Sequence, residues 1–212
     1  MNKNMKEKCV VMKNEAIKDS GSTQEYSTGA HRDNSEKKGD CSLLPLKEVG
    51  MIMNDPVLTA IDAFMETRDT QHLADALRKS VDTLYLFNYV TIYKQMEKNG
   101  VELMGMSDGE PEHMRKAKLN ACLAHMMLEA SHIYQAGAEK YGRNNWKLGM
   151  PVDRYIDSGV RHYLKTVRGD IDEPHYRGFV WNLLCAMWTA HNHPELNQKS
   201  EPVRSTIQTE AK

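Results

Sequence analysis

Apolar residues recur at helical spacing through most of the chain, and the strict alternation that a half-buried strand requires is sustained nowhere. Asp55-Pro56 sets a capping carboxylate before a proline at the first helical position, and Val57, Ile61, Phe64 and Met65 then fall on one face. A longer helix is predicted from Asp69 or Thr70 to about Lys98, with Leu73, Ala76, Leu77, Val81, Leu84, Phe87 and Ile92 as its buried stripe. Asn99-Gly100 closes it, because both residues tolerate left-handed backbone angles. After a loop containing Gly105, Asp108 and Gly109, a third helix is predicted from about Pro111 to Lys140, its apolar side formed by Leu119, Cys122, Leu123, Met126, Met127, Ala130 and Ile133. Pro151 opens a fourth, to about Val167; Arg168-Gly169-Asp170 breaks it. Glu173-Pro174 then opens a fifth, which ends near His193-Pro194. The expectation is an all-α fold: a compact bundle of about five helices.

The ends lack this patterning. Residues 1–26 are rich in Lys, Asn, Glu and Ser without periodicity and read as a disordered tail, since such a segment cannot offset its ordering entropy by burial. Residues 27–50 read as an irregular arm that packs at one point, the apolar cluster Leu43-Leu44-Pro45-Leu46. The polar stretch 195–212 reads as a loose tail, so one helical domain spans 27–194.

Charge narrows the partners. A formal net charge of -1 supplies no global basic field for a polynucleotide. No run approaches eighteen apolar residues, and the lysine-rich start is not followed by an apolar segment, so no membrane association is expected and the location is expected to be cytoplasmic. Cys9, Cys41, Cys122 and Cys185 are too scattered for a zinc or dithiol spacing; Cys122 and Cys185 lie in apolar runs and read as small buried residues.

Polar residues inside apolar helix faces are the candidates for chemistry, because burying them is costly unless they are paired or liganded. Glu129 and His132 share a helix face, as a solvated pair also would. The connector Tyr141-Gly142-Arg143-Asn144-Asn145-Trp146 combines aromatic rings with hydrogen-bond donors: a ring stacks on a base while Lys140 or Arg143 meets phosphate, or else the segment is a capped helix end with a packed tryptophan. Asp153, Asp157 and Arg161 follow at i,i+4 and read as an exposed, weak ion-pair ladder, with His162 one residue off that edge. Asp170, Asp172 and Glu173 crowd three carboxylates into one turn, where a hard cation such as Mg2+ or Mn2+, solvent or Arg168 offsets their repulsion. Asn182 interrupts an apolar run two turns after His175, and it either bonds across the bundle or shares a polar pocket with His175 and His162.

Taken in order, Ser27-Thr28-Gly29-Ala30-His31-Arg32-Asp33, Leu43-Leu44-Pro45, Gly137 to Gly142 with Asn145-Trp146, Asp157-Ser158, Arg161-His162, Gly169-Asp170 and Glu173-Pro174-His175 with Trp181-Asn182-Leu183-Leu184 resemble the dATP/dGTP diphosphohydrolase N-terminal domain family, met mostly in bacteriophages and prophages. The resemblance covers about 27–53 and 119–190 and makes 54–118 a helical insertion. It departs at Gly178, where relatives often carry another histidine, and the paired-glutamate motif of the MazG-like pyrophosphohydrolases is absent. The resemblance implies metal-dependent hydrolysis of a purine deoxynucleoside triphosphate to the monophosphate and pyrophosphate, in host cytoplasm if phage-encoded. The alternative is a non-catalytic protein that sequesters a nucleotide or cyclic-nucleotide signal. On the enzymatic reading Glu129, Asp170, Asp172 and Glu173 hold Mg2+ or Mn2+, and His162, His175 and Glu173 are catalytic. Lys140, Tyr141, Arg143, Asn145, Trp146, Arg161 and Asn182 bind the small-molecule nucleotide. The Leu84-Tyr85-Leu86-Phe87-Asn88-Tyr89 stretch is a candidate contact surface for a homo-oligomer.

Overall fold

A computed structural model describes residues 23–33, 39–81, 112–170 and 172–199. Residues 1–22 of the expected tail 1–26, residues 200–212 of the expected tail 195–212, the Asn99-Gly100 stop and the Leu84–Tyr89 surface lie outside these residues. The fold is an all-helical bundle. Among the described residues its helices are α1 (Leu46–Met53), α2 (Pro56–Thr67), α3 (71–81), α4 (Glu112–Tyr141), α5 (Val152–Arg168) and α6 (His175–Asn192). The helix beyond the predicted five is α1, which pattern reading placed in the arm; its eight residues give too few turns to set a period. A two-stranded antiparallel ribbon, β1 (Thr23–Glu25) and β2 (His31–Asp33), precedes it. Three-residue strands are too short to show alternation, and the first lies within the segment whose composition read as a tail.

Where local chemistry was decisive, the structure follows it. Asp55 accepts from Val57 N at 2.9 Å with Pro56 at the first helical turn, and its other oxygen accepts from Tyr163 Oη at 2.6 Å, tying the start of α2 to the middle of α5. On α5, Val152, Tyr155, Ile156, Gly159, Val160, Tyr163 and Thr166 are buried at successive three- and four-residue steps. They meet Phe179, Val180, Leu183 and Ala186 of α6, and Phe64, Ile61 and Leu58 of α2 complete the core. The turn between α5 and α6 is short, so the two helices run antiparallel and the residues flanking the turn are brought together.

The arm is fixed by polar bonds over more than a hundred residues of sequence. Thr28 Oγ1 donates to Gly149 O, and His31 exchanges two bonds with the Asn145 side chain, each 3.0 Å. Asp33 accepts from Lys140 Nζ at 2.7 Å and from Tyr141 Oη. Arg32 lies over the Tyr155 and Trp181 rings, which meet edge-on, and donates to Asn182 Oδ1 at 2.7 Å. Farther along, Cys41 N donates to Asp157 Oδ1 at 2.6 Å, while Arg161 donates to Asp157 and to Gly39 O. The Asp157–Arg161 pair, expected to be exposed, is therefore buried beneath the arm, with Asp157 only 2% accessible. Asp153 pairs instead with Arg68 of the α2 C-cap.

Candidate metal centre

His162 lies in the C-terminal half of α5, Glu173 in the turn just before α6 and His175 at the first position of α6, so the antiparallel turn folds them onto one another. The Nδ1 atoms of His162 and His175 stand 3.1 Å apart. Glu173 Oε1 is 3.1 Å from His175 Nδ1 and 3.7 Å from His162 Nδ1. On the other edge of the buried His175 ring, Nε2 is 2.7 Å from Asp172 Oδ1. With Nε2 donating to that carboxylate, Nδ1 is the atom that can offer a lone pair toward His162 and Glu173. A carboxylate behind an imidazole is the arrangement that orients a metal-ligating histidine.

The spacing suits an ion. Two nitrogen donors each about 2.1 Å from one cation stand about 3.0–3.4 Å apart at octahedral to tetrahedral angles, and the observed 3.1 Å falls within that span. Burial, opposed by Glu173 and reinforced by His175, lowers the His162 pKa well below that of an ordinary imidazole, so the ring is neutral at pH 7, the state a ligand needs. Burial would raise the Glu173 carboxyl, but its hydrogen bond with His175 and the neighbouring histidines outweigh that and lower it, so it is ionised. A second cluster, Asp170, Asp172 and His175, shares the His175 ring. Its Asp170 carboxylate is already engaged by both arms of the Arg168 guanidinium, which leaves the His162–Glu173–His175 group as the better-formed donor set.

Gly178 supports this geometry. A β-carbon there would lie 2.8 Å from three atoms of the His162 ring, so the imidazole fills the space that a side chain at 178 would occupy. Asn182, one turn on, donates to Gly178 O at 2.7 Å while accepting from Arg32. The buried amide is thereby satisfied by structure, with the arm as one of its partners.

The other sequence candidates are placed elsewhere. Glu129 accepts from Tyr176 Oη at 2.5 Å and from the Arg177 guanidinium at 2.5 and 2.8 Å, on the α4–α6 interface, and belongs to neither cluster. Lys140, Tyr141 and Asn145 hold the ribbon, and Arg161 holds the segment at Gly39 and Cys41. Trp146 packs edge-on against Tyr134 and Trp188, beside an open groove of about 460 Å³ that Arg143 also lines. Trp188 is thirteen residues beyond His175 on α6, about 20 Å along the axis, so groove and histidines occupy opposite ends of that helix. The residue that sequence reading passed over is Arg32; its only signal was a lone arginine within the Ser27–Asp33 motif.

The Glu129 bonds make a pH prediction. Burial would raise its carboxyl, but donation from Tyr176 and Arg177 prevails and lowers it. A depressed carboxylate contributes stability above its unfolded value, about 4.3, that is lost as pH falls through the folded one. Thermal melts of Glu129→Gln should therefore fall below wild type at pH 7 and converge with it near pH 3; parallel curves across that range would contradict the sign.

Among the described residues, a bundle of about six helices with a cluster of two histidines and a carboxylate able to hold a metal is the class that fold and site define. Residues 106–199 match the family model described as dATP/dGTP diphosphohydrolase, N-terminal. That segment is under half of the chain and contains all of α4, α5 and α6 with the donor set, whereas the arm lies before it. No curated protein and no solved structure matches the chain. Among the described residues no helix is long and apolar enough to cross a membrane.

Proposed function

We propose that the chain is a metal-dependent nucleotide pyrophosphohydrolase, converting a purine deoxynucleoside triphosphate to its monophosphate and pyrophosphate at the His162–Glu173–His175 centre. The approach of two imidazole Nδ1 atoms to 3.1 Å around one carboxylate carries the proposal, and the family match over the same helices supplies the substrate class. Both histidines act as ligands with Glu173, and Asp172 fixes the His175 tautomer. Two imidazoles and a carboxylate favour a first-row transition ion, Mn2+ or Zn2+, over Mg2+, which prefers oxygen ligands. Such an ion offsets phosphate charge and lowers the pKa of a bound water. The protein's own part is to seat the neutral His162 ring against Gly178 and to keep Glu173 ionised beside it.

Incubating the purified chain with dATP, dGTP and pyrimidine controls in Mn2+, Zn2+ or Mg2+, and identifying products by mass, tests this directly. The expected result is purine monophosphate with pyrophosphate, fastest with the transition ions. Recovery of intact nucleotide that had bound to the protein would replace catalysis with sequestration. A histidine pair joined only by its own hydrogen bond would bind neither ion.

A further inference from the structure

The sequence supplied three cations for phosphate, Lys140, Arg143 and Arg161, yet none of them faces the histidines unoccupied. Lys140 pairs with Asp33, Arg161 pairs with Asp157, and Arg143 lines the groove at the other end of α6. Each arginine of α5 and α6 is likewise matched by a carboxylate: Arg154 by Asp40, Arg161 by Asp157, Arg168 by Asp170 and Arg177 by Glu129. Lys165 differs. It is half-buried on α5, and among the described residues its ammonium has no ion pair or hydrogen bond. It lies three residues after His162 and so on the same helix face, with the two β-carbons about 5–6 Å apart. Its charge acts on His162, Glu173 and Asp170, in keeping with that shared face. Arg32 also acts on His162; its guanidinium is held by the neutral oxygens of Asn182 and Arg154 and has no carboxylate partner among the described residues.

We infer that Lys165 is the polyphosphate-binding residue of this site, its mobile ammonium meeting the phosphate chain of a nucleotide whose reacting end lies at His162, Glu173 and His175. Lysine suits the task as a compact point charge on a flexible stem, whereas Arg32, held over two rings and bonded to Asn182, adds positive potential from a fixed position. The inference rests on the phosphohydrolase reading for the identity of the ligand, and two measurements keep the two separable. The first is steady-state hydrolysis of dGTP by Lys165→Gln. It should raise KM about tenfold, with the larger share of the loss in KM rather than kcat, and Lys165→Arg should recover most of it. The second is calorimetric titration of the full chain with inorganic tripolyphosphate in the absence of added metal. Binding should weaken about tenfold in Lys165→Gln and fall with added salt in the wild type. Loss of tripolyphosphate binding in Lys165→Gln by a chain that hydrolyses nothing would uphold the lysine and reject the enzyme. Unchanged KM and unchanged tripolyphosphate affinity in Lys165→Gln would reject the lysine, and with active hydrolysis would leave the enzyme standing.

Discussion

His175→Gln is expected to lower affinity for Mn2+ or Zn2+ more than about 100-fold and to take purine triphosphate hydrolysis with it, while the far-ultraviolet signal of the helices is retained. The ring is 1% accessible and works from both edges, with Nδ1 toward His162 and Glu173 and Nε2 toward Asp172. Glutamine keeps the volume and an N–H for Asp172 but presents no imidazole lone pair to a cation, which separates ligation from folding. Losing a hydrogen-bond partner behind a ligand typically costs 10- to 100-fold, and losing the ligand itself should cost more. A calorimetric metal titration that superimposes on that of the wild type would reject the centre.

Gly178→Ala should have nearly as large an effect without removing any donor. The new β-carbon would approach the His162 ring to 2.8 Å, closer than packed atoms allow, and the ring must swing off or the helices must part. Parting the helices would also open the close contact at Gly159, whose own β-carbon would lie 3.0 Å from Leu183 Cδ1. The displaced imidazole then loses its 3.1 Å relation to His175, and a misplacement of about 1 Å at a reacting centre costs on the order of 100-fold in rate. Overpacking should also lower stability by about 1–3 kcal/mol. Chemical denaturation measures the second effect and metal titration the first; wild-type metal affinity in a destabilised Gly178→Ala would show that His162 is not held by this contact.

The two positions differ in how far they could be read in advance. His162, Glu173 and His175 flank one short turn between helices whose caps and periodicity were plain, and an antiparallel pair must bring such residues together. Gly178 entered the reading only as a departure from the resemblance, because a glycine in a helix does not announce what lies above it. The same limit applies to Lys140, Tyr141, Asn145, Arg161 and Asn182. Their side chains have the chemistry that binds nucleotides, and it serves equally to bind the arm, whose partners are 107 to 150 residues away in sequence. Asp157 shows the reversal most clearly: i,i+4 spacing to Arg161 describes an exposed pair on an isolated helix, and the segment around Cys41 turns it into a buried anchor.

The sequence by itself determined the helical class, the capped start of α2, the breaks around the α5–α6 turn and the family to which the C-terminal half is similar, because caps, turns and 3.6-residue periodicity act between near neighbours. Only the tertiary structure decided which polar residues face a shared centre and which hold the arm. That choice depends on desolvation and on partners brought in from distant parts of the chain, and neither is encoded in local spacing.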